Sequence, residues 1–253
     1  MRLYTVSDLH VDYAENLGWV RSLSGEDYSG DRLILAGDIT DDMELLRSVL
    51  SGFAATFKSV HFVPGNHELW IDRGDYACSL EKFEAVLELC RELDVHVDPY
   101  HDERLSVLPL FSWYDFSFGE PGVYLRRAWR DFRACEWPEH LADTGELSEY
   151  FLEKNLANLQ VENELVVSFS HFLPRIDVMP DRIPEKRRKV YPVLGSMKLG
   201  EQVRQLKPDI HIYGHSHVNQ QIELEGTTYI NNAYAYPKED RIARKALHCV
   251  AEL

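Results

Sequence analysis

The sequence predicts an α/β protein built on one mixed sheet or on two stacked sheets. Short apolar runs rich in β-branched residues recur along the chain, and amphipathic helical patterns lie between several of them. Late in the chain the alternation gives way to strands. At 253 residues the chain can bury a sizeable core. It carries no linker, repeat or low-complexity tract, so a single domain over 1–253 is expected.

The elements follow in order. LYTVSDLH (3–10) reads as the first strand, and RLILAGDIT (32–40) as the second. DMELLRSVLSGF then places Met43, Leu46, Val49, Leu50 and Phe53 on one helical face, with Asp41 and Glu44 at capping-box spacing. SVHFVPGNHE (59–68) is the third strand, and SLEKFEAVLELCREL the second helix, with Phe83, Val86, Leu87, Cys90 and Leu93 together. LSVLPLFSW (105–113), ELVVSFSHF (164–172), DIHIYGHSH (209–217) and TTYINNA (227–233) complete the strands; SEYFLEKNLANLQ and MKLGEQVRQL are weaker helical patterns. Two long loops remain, 114–143 and 174–196, and loops of that length in a compact domain usually have a function or move.

Composition narrows the function. The net charge of −15 repels phosphate backbones and argues against extended nucleic-acid binding, although bound metal ions can reverse the local sign for a small phosphorylated substrate. No run of about 18 apolar residues occurs, and a membrane span is not expected. The N-terminus lacks the apolar stretch of a signal peptide, and Cys78, Cys90, Cys135 and Cys249 show no CxxC spacing. Reduced thiols and a cytoplasmic location are the expectation.

The strand ends carry the chemistry. They are Asp8-Leu9-His10, Gly37-Asp38, Gly65-Asn66-His67-Glu68, Ser170-His171 and Gly214-His215-Ser216-His217. Ligands of open α/β sheets bind beyond the carboxyl ends of strands, so the five groups converge on one rim. Their donors are His, Asp and Asn without a cysteine, which suits borderline-to-hard divalent metals. Asp8 and His10 stand two apart and reach one site if the backbone stays extended; the same holds for His215 and His217 unless their loop lets them diverge to two neighbouring ions. The glycines before Asp38, Asn66 and His215 permit close backbone approach. Each signal alone is modest; all five in order are not.

The pattern DxH…GD…GNHE…H…GHxH resembles the calcineurin-like metallophosphoesterase superfamily, from Asp8 to His217 and with no element missing. The resemblance implies a four-layer α-β-β-α sandwich with two central mixed sheets. It implies two divalent ions, one held by Asp8, His10 and His217, the other by Asn66, His171 and His215, with Asp38 bridging both. His67 would be the non-ligand catalytic histidine beside the leaving-group oxygen. The implied reaction is hydrolysis of a small phosphodiester or phosphomonoester, in which hydroxide held between the ions attacks phosphorus in line and protonated His67 assists departure. Nitrogen and oxygen donors fit Mn, Fe or Zn better than Ca.

Other residues are open to two readings. Arg187 and Arg188, in the run 185–189, suit phosphate recognition or a solvated loop; Arg126, Arg127 and Arg130 raise the same question. Trp70, Trp113 and Tyr114 suit stacking on substrate or packing. Asn231 and Asn232 suit the pocket or a turn. Asp12, Asp41, Asp42 and Glu68 are candidate acceptors behind the metal-binding histidines. The alternatives to an enzyme are a non-catalytic interaction module that keeps its metal site, and a structural zinc site, which the lack of cysteine among the seven candidate ligands disfavours.

Overall fold

The computed structural model describes residues 1–72, 74 and 76–253. Strands β1 (Arg2–Val6), β2 (Arg32–Leu35), β3 (Ser59–Phe62) and β4 (Val95–His96) run parallel, and β11 (His248–Glu252) closes their outer edge antiparallel to β1. This five-stranded sheet has the order β11-β1-β2-β3-β4. The second sheet contains β5 (Tyr100–His101), β6 (Leu105–Pro109), β7 (Leu165–Phe169), β8 (Ile210–Tyr213), β9 (Gln220–Leu224) and β10 (Thr227–Asn231), in the order β5-β6-β7-β8-β10-β9. Its edge strands β5 and β9 are antiparallel to their neighbours and the rest are parallel.

Side-chain alternation assembles the layers. Leu3, Ile34, Val107, Val167, Phe169 and Ile212 share one buried cluster between the two sheets. Their neighbours Tyr4, Val6, Leu33, Leu35, Val60 and Phe62 face the other way, into a cluster with α3 (Met43–Thr56) and α4 (Ser79–Glu92). On the far side, Leu108, Val166, Tyr213 and Tyr229 pack against Leu199, Val203 and Leu206 of α8 (Met197–Leu206). The result is the expected four-layer sandwich with two central mixed sheets. Arg32 crosses between sheets, donating to Tyr100 Oη at 2.7 Å and to Asp102 Oδ2 at 2.9 Å.

The long loops are not plain coil. Segment 114–143 holds α5 (Val123–Ala128) and α6 (Asp131–Ala134), and 174–196 holds a 3-10 stretch over Glu185–Val193. The pattern at 148–160 is α-helical only to Glu153, within α7 (Thr144–Glu153), and adds a 3-10 turn at Leu156–Asn158. Short helices α1 (Ala14–Ser22) and α2 (Gly25–Tyr28) follow β1.

The capping box at Asp41 and Glu44 is not formed. Asp42 caps α3 instead, its carboxylate accepting from Leu45 N at 2.9 Å. Asp41 faces Arg130 at 3.5 Å, and its carbonyl accepts from buried Lys82 Nζ at 2.6 Å. Asp42→Ala should therefore lower the free energy of unfolding by about 1 kcal/mol in urea titrations, the usual cost of a lost N-cap.

Candidate metal centre

All five strand-end groups lie at the shared carboxyl edge of the two sheets. Sheet one supplies Asp8 and His10 after β1, Asp38 after β2, and Asn66 and His67 after β3. Sheet two supplies His171 after β7, and His215 and His217 after β8. The sheets are stitched there by backbone bonds, Ser7 N to Asn232 O at 3.1 Å and Tyr234 N to Ser7 O at 2.8 Å.

The backbone does not stay extended, as the i, i+2 argument required. Asp8, His10, Asp38, His215 and His217 have φ of 53°, 43°, 59°, 67° and 55°, all left-handed. That conformation costs a non-glycine residue roughly 1–3 kcal/mol and collects at functional sites. Here it turns successive side chains into one volume. The preceding glycines serve close approach: a Cβ on Gly65 would run into Asp38 Oδ1, and one on Gly37, at φ 84°, would come within 2.5 Å of His171 Nδ1.

Two donor sets result. His217 Nε2 lies 3.0 Å from His10 Nε2 and 3.3 Å from Asp8 Oδ1. His171 Nε2 lies 3.0 Å from His215 Nδ1, 3.1 Å from Asn66 Oδ1 and 3.4 Å from Asp38 Oδ1. Donors bound to one ion by bonds of about 2.1 Å stand about 3.0 Å apart at right angles and about 3.4 Å apart at the tetrahedral angle. Asp38 turns its other oxygen, Oδ2, to within 3.6 Å of His67 Nε2. His10, Asp38 and His67 also bring donor atoms within 4.8 Å of one another, so His67 borders the donor cluster.

Hydrogen bonds behind the ring nitrogens settle which atoms face inward. His171 Nδ1 donates to Ala36 O at 2.9 Å, and His215 Nε2 donates to Val193 O at 3.1 Å. That leaves His171 Nε2 and His215 Nδ1 as lone pairs facing each other beside the Asn66 carbonyl oxygen. Asn66 is held that way round because its Nδ2 donates to Asp131 Oδ1 at 2.9 Å. Such a cluster of acceptors without a donor fits a cation and little else. His217 Nδ1 bonds Glu239 Oε2 at 2.6 Å, aiming its Nε2 at Asp8.

Charge gives the same answer. Asp8, Asp38, Glu68 and Asp131 are all buried. Burial, then Glu68 and Asp8, pushes Asp38 well above the usual carboxylate range. Burial likewise raises Asp131, against the opposing N–H groups of Trp70, Asn66 and Trp129. Burial pulls His217 down, but Asp8 and Glu239 outweigh it and hold the imidazole at about 9. Burial lowers His67, and the neighbouring histidines lower it further. Carboxylates packed this densely out of water need cations beside them.

Of the acceptors considered from sequence, Glu68 is central but does not back a histidine. It takes backbone N–H from Asp38 at 3.0 Å, Ile39 at 2.6 Å, Thr40 at 3.1 Å and Gly65 at 2.6 Å. Asp12 bonds Thr40 Oγ1 and Asp42 caps α3, so it is Asp131 and Glu239 that hold candidate ligands from behind. Neither had a sequence signal beyond lying in, or past, a long loop.

The rim residues divide. Trp70 stacks on His67 with ring centroids 3.6 Å apart, and its Nε1 donates to Asp131 Oδ1 at 2.7 Å. Trp113 and Tyr114 are core residues, 2% and 1% exposed. Asn231 and Asn232 are buried and bond strand-end carbonyls of Tyr213 and Thr5. Arg187 lines a cleft of about 990 Å³ that opens onto Asp38, Asn66, His67, His215 and His217. Arg188 is directed to the carbonyls of Ile183 and Asp181, both at 3.0 Å. Tyr236, unremarked in the sequence, stacks on His10 at 4.4 Å.

Comparison with known proteins agrees with this geometry. The family model for calcineurin-like phosphoesterases matches residues 1–219. Over 132 residues the chain is 33% identical to acyl-carrier-protein phosphodiesterase PptH of Mycobacterium tuberculosis, covering 48% of this chain and 40% of that protein's length. The crystal structure of phosphopantetheinyl hydrolase PptH from Mycobacterium tuberculosis superposes with a TM-score of 0.84 at 22% identity, over 98% of this chain and 95% of that one. TT1561 of Thermus thermophilus superposes with 0.51 at 14% identity, over 92% and 89%. The family match over most of the chain, together with the shared fold, supports one conclusion: this chain belongs to the calcineurin-like phosphoesterases, hydrolases that work with divalent metals.

Proposed function

We propose that this chain is a phosphodiesterase that binds two divalent cations, Mn, Fe or Zn. Asp8, His10 and His217 would hold one, and Asn66, His171 and His215 the other, with Asp38 shared between them. The observation that carries the reading is the pair of side-chain ligand sets, 3.0–3.4 Å within each, at the floor of the cleft. When bound, the cations supply charge neutralisation for phosphoryl oxygens and an acidified attacking water.

The chain's own residues do the rest. His67 sits between Trp70 and His10, whose rings lie 3.6 and 4.6 Å away, so its position is fixed. Burial holds it neutral, and it therefore meets the ester as an N–H hydrogen-bond donor. Proton transfer from it is confined to complexes in which the bound anion draws its pKa back up. The cleft, near the upper end of the roughly 300–1,000 Å³ usual for ligand sites, accommodates an organic group beyond each ester oxygen, which favours a diester. Met179, Ile183, Val190 and Leu194 give it an apolar wall, and Arg187 a cation. By analogy with the relatives' names, the substrate class is a phosphopantetheine-type arm esterified to a carrier protein.

Three outcomes test this. Asp38→Asn should lose both metals and activity together, measured by metal analysis of the purified protein and turnover of bis(p-nitrophenyl) phosphate with Mn²⁺; full occupancy would remove Asp38 from the bridging role. His67→Ala should keep its metals while kcat falls by roughly 10²–10⁴-fold. Loss of metal there would make His67 a ligand. Metal affinity should rise with pH: His217, raised to about 9, holds a proton that the ion must displace. For one displaced proton the gain is up to about tenfold per pH unit, levelling off above pH 9. Competition with a chelator at pH 6.5, 7.5 and 8.5 measures the slope, and a flat response would exclude His217 from the donor set.

A further inference from the structure

The chain is acidic overall, yet its cleft is ringed by cations. Three segments distant in sequence meet there: RRAWRDFR (126–133), RIPEKRRK (182–189) and KEDRIARK (238–245). They hold almost half of the chain's 27 lysines and arginines. Except for Lys245, which donates to backbone carbonyls, these cations are exposed, and the only exposed acids among them are Glu185 and Asp240. Each segment reaches the cleft wall, through Arg130, Arg187, Lys238 and Arg241. Only Arg130 is held by carboxylates among the described residues, those of Asp41 and Asp72. In a protein with net charge −15, exposed cations therefore outnumber exposed acids along the three segments that reach this cleft.

Large apolar side chains stand in the same zone. Val123 and Tyr124, one turn before Arg126 and Arg127 on α5, are 68% and 77% exposed, and Ile242 is 39% exposed. A small anion needs one or two cations at the cleft floor, not a broad field with apolar side chains set in it. A long nucleic acid would meet the repelling acidic surface beyond the island. A compact acidic protein with an apolar spot matches both the charge and its limited extent.

We propose that this basic ring is a docking surface for an acidic protein that carries the scissile phosphodiester, so that the arm enters the cleft while the carrier body rests on the rim. The proposal rests on the diesterase reading above and adds the recognition of the carrier body. Arg127, Lys189 and Arg244, one from each segment, stand outside the cleft wall and suit a test by the triple variant Arg127→Glu, Lys189→Glu, Arg244→Glu.

The probes are a small acidic acyl carrier protein bearing phosphopantetheine on serine, and bis(p-nitrophenyl) phosphate, both with Mn²⁺. The expected result is a fall of at least tenfold in kcat/KM for the carrier protein, carried by KM. Turnover of the small diester should stay within twofold. Raising NaCl from 50 to 500 mM should weaken carrier turnover by the wild-type protein and leave the small diester unaffected. Equal losses on both substrates, or an undiminished carrier rate, would overturn the proposal. So would unchanged carrier binding alongside lost binding to a DNA duplex or to vesicles containing phosphatidylglycerol, which would assign the ring to another polyanion. Carrier binding is measured separately by calorimetry. If the wild-type protein binds the carrier without cleaving it, and the triple variant does not bind, the surface stands and the diesterase reading falls.

Discussion

One buried carboxylate organises the site. Glu68 gathers four backbone N–H groups, from Asp38, Ile39, Thr40 and Gly65, and thereby locks the loop after β2 to the loop after β3. Several charge-assisted bonds to one ion in a dry interior are strong because no water competes. The bonds hold Asp38 at φ 59°, where its carboxylate faces both donor sets, and keep Gly65 close enough to touch it. A side chain of the GNHE group thus builds the site from beneath instead of backing a histidine. Without Glu68 the four amides would be buried and unpaired, and of the described hydrogen bonds only those from His10 N to Asp38 O and from His67 N to Asp38 Oδ1 would still hold the strained residue.

The same logic extends outward. Asp131 collects Asn66 Nδ2 and the indole N–H groups of Trp70 and Trp129, both at 2.7 Å. One carboxylate therefore sets the orientation of a candidate metal ligand and the ring that packs on His67. Arg130 lies over Trp70 at 4.1 Å and pairs with Asp72 at 2.8 Å, clamping the stack from its open side. The short helices of segment 114–143 are there to deliver these residues. Their placement explains why so long a connection persists in a compact fold.

Much of this was legible in the chain. The β-branched runs gave strands because alternate residues had two buried faces to fill, as Leu3 with Tyr4 and Ile34 with Leu33 show. The residues that converge were readable because their types and positions at strand ends restrict the chemistry. Their conformations were not: extended spacing suggested that Asp8 and His10 point alike, whereas both are left-handed. Asp131, Glu239 and Tyr236 were illegible for a different reason. Each reaches the centre through tertiary packing of an irregular segment, where no period marks an inward residue. The cap of α3 was misplaced by one residue because Asp41 and Asp42 offer the same chemistry, and tertiary contacts of Asp41 to Arg130 and Lys82 distinguish them.

Electrostatics connects the two scales of the molecule. Inside, carboxylates and lone pairs converge so densely that the folded chain invites cations. Outside, an excess of acid repels anions from most of the surface. A phosphate ester meets a protein with net charge −15 whose exposed cations gather in the three segments that reach the cleft mouth. Fields of this kind act over about 8–10 Å at ordinary salt, so a partner feels these cations only when it is already near the rim. On the docking proposal, the ring of cations would select where an anionic partner lands, and metal ions held by the donors beneath it would determine what happens to the phosphate once there. Separating the two roles in this way would let a site whose own ligands include buried acids draw in a negatively charged substrate.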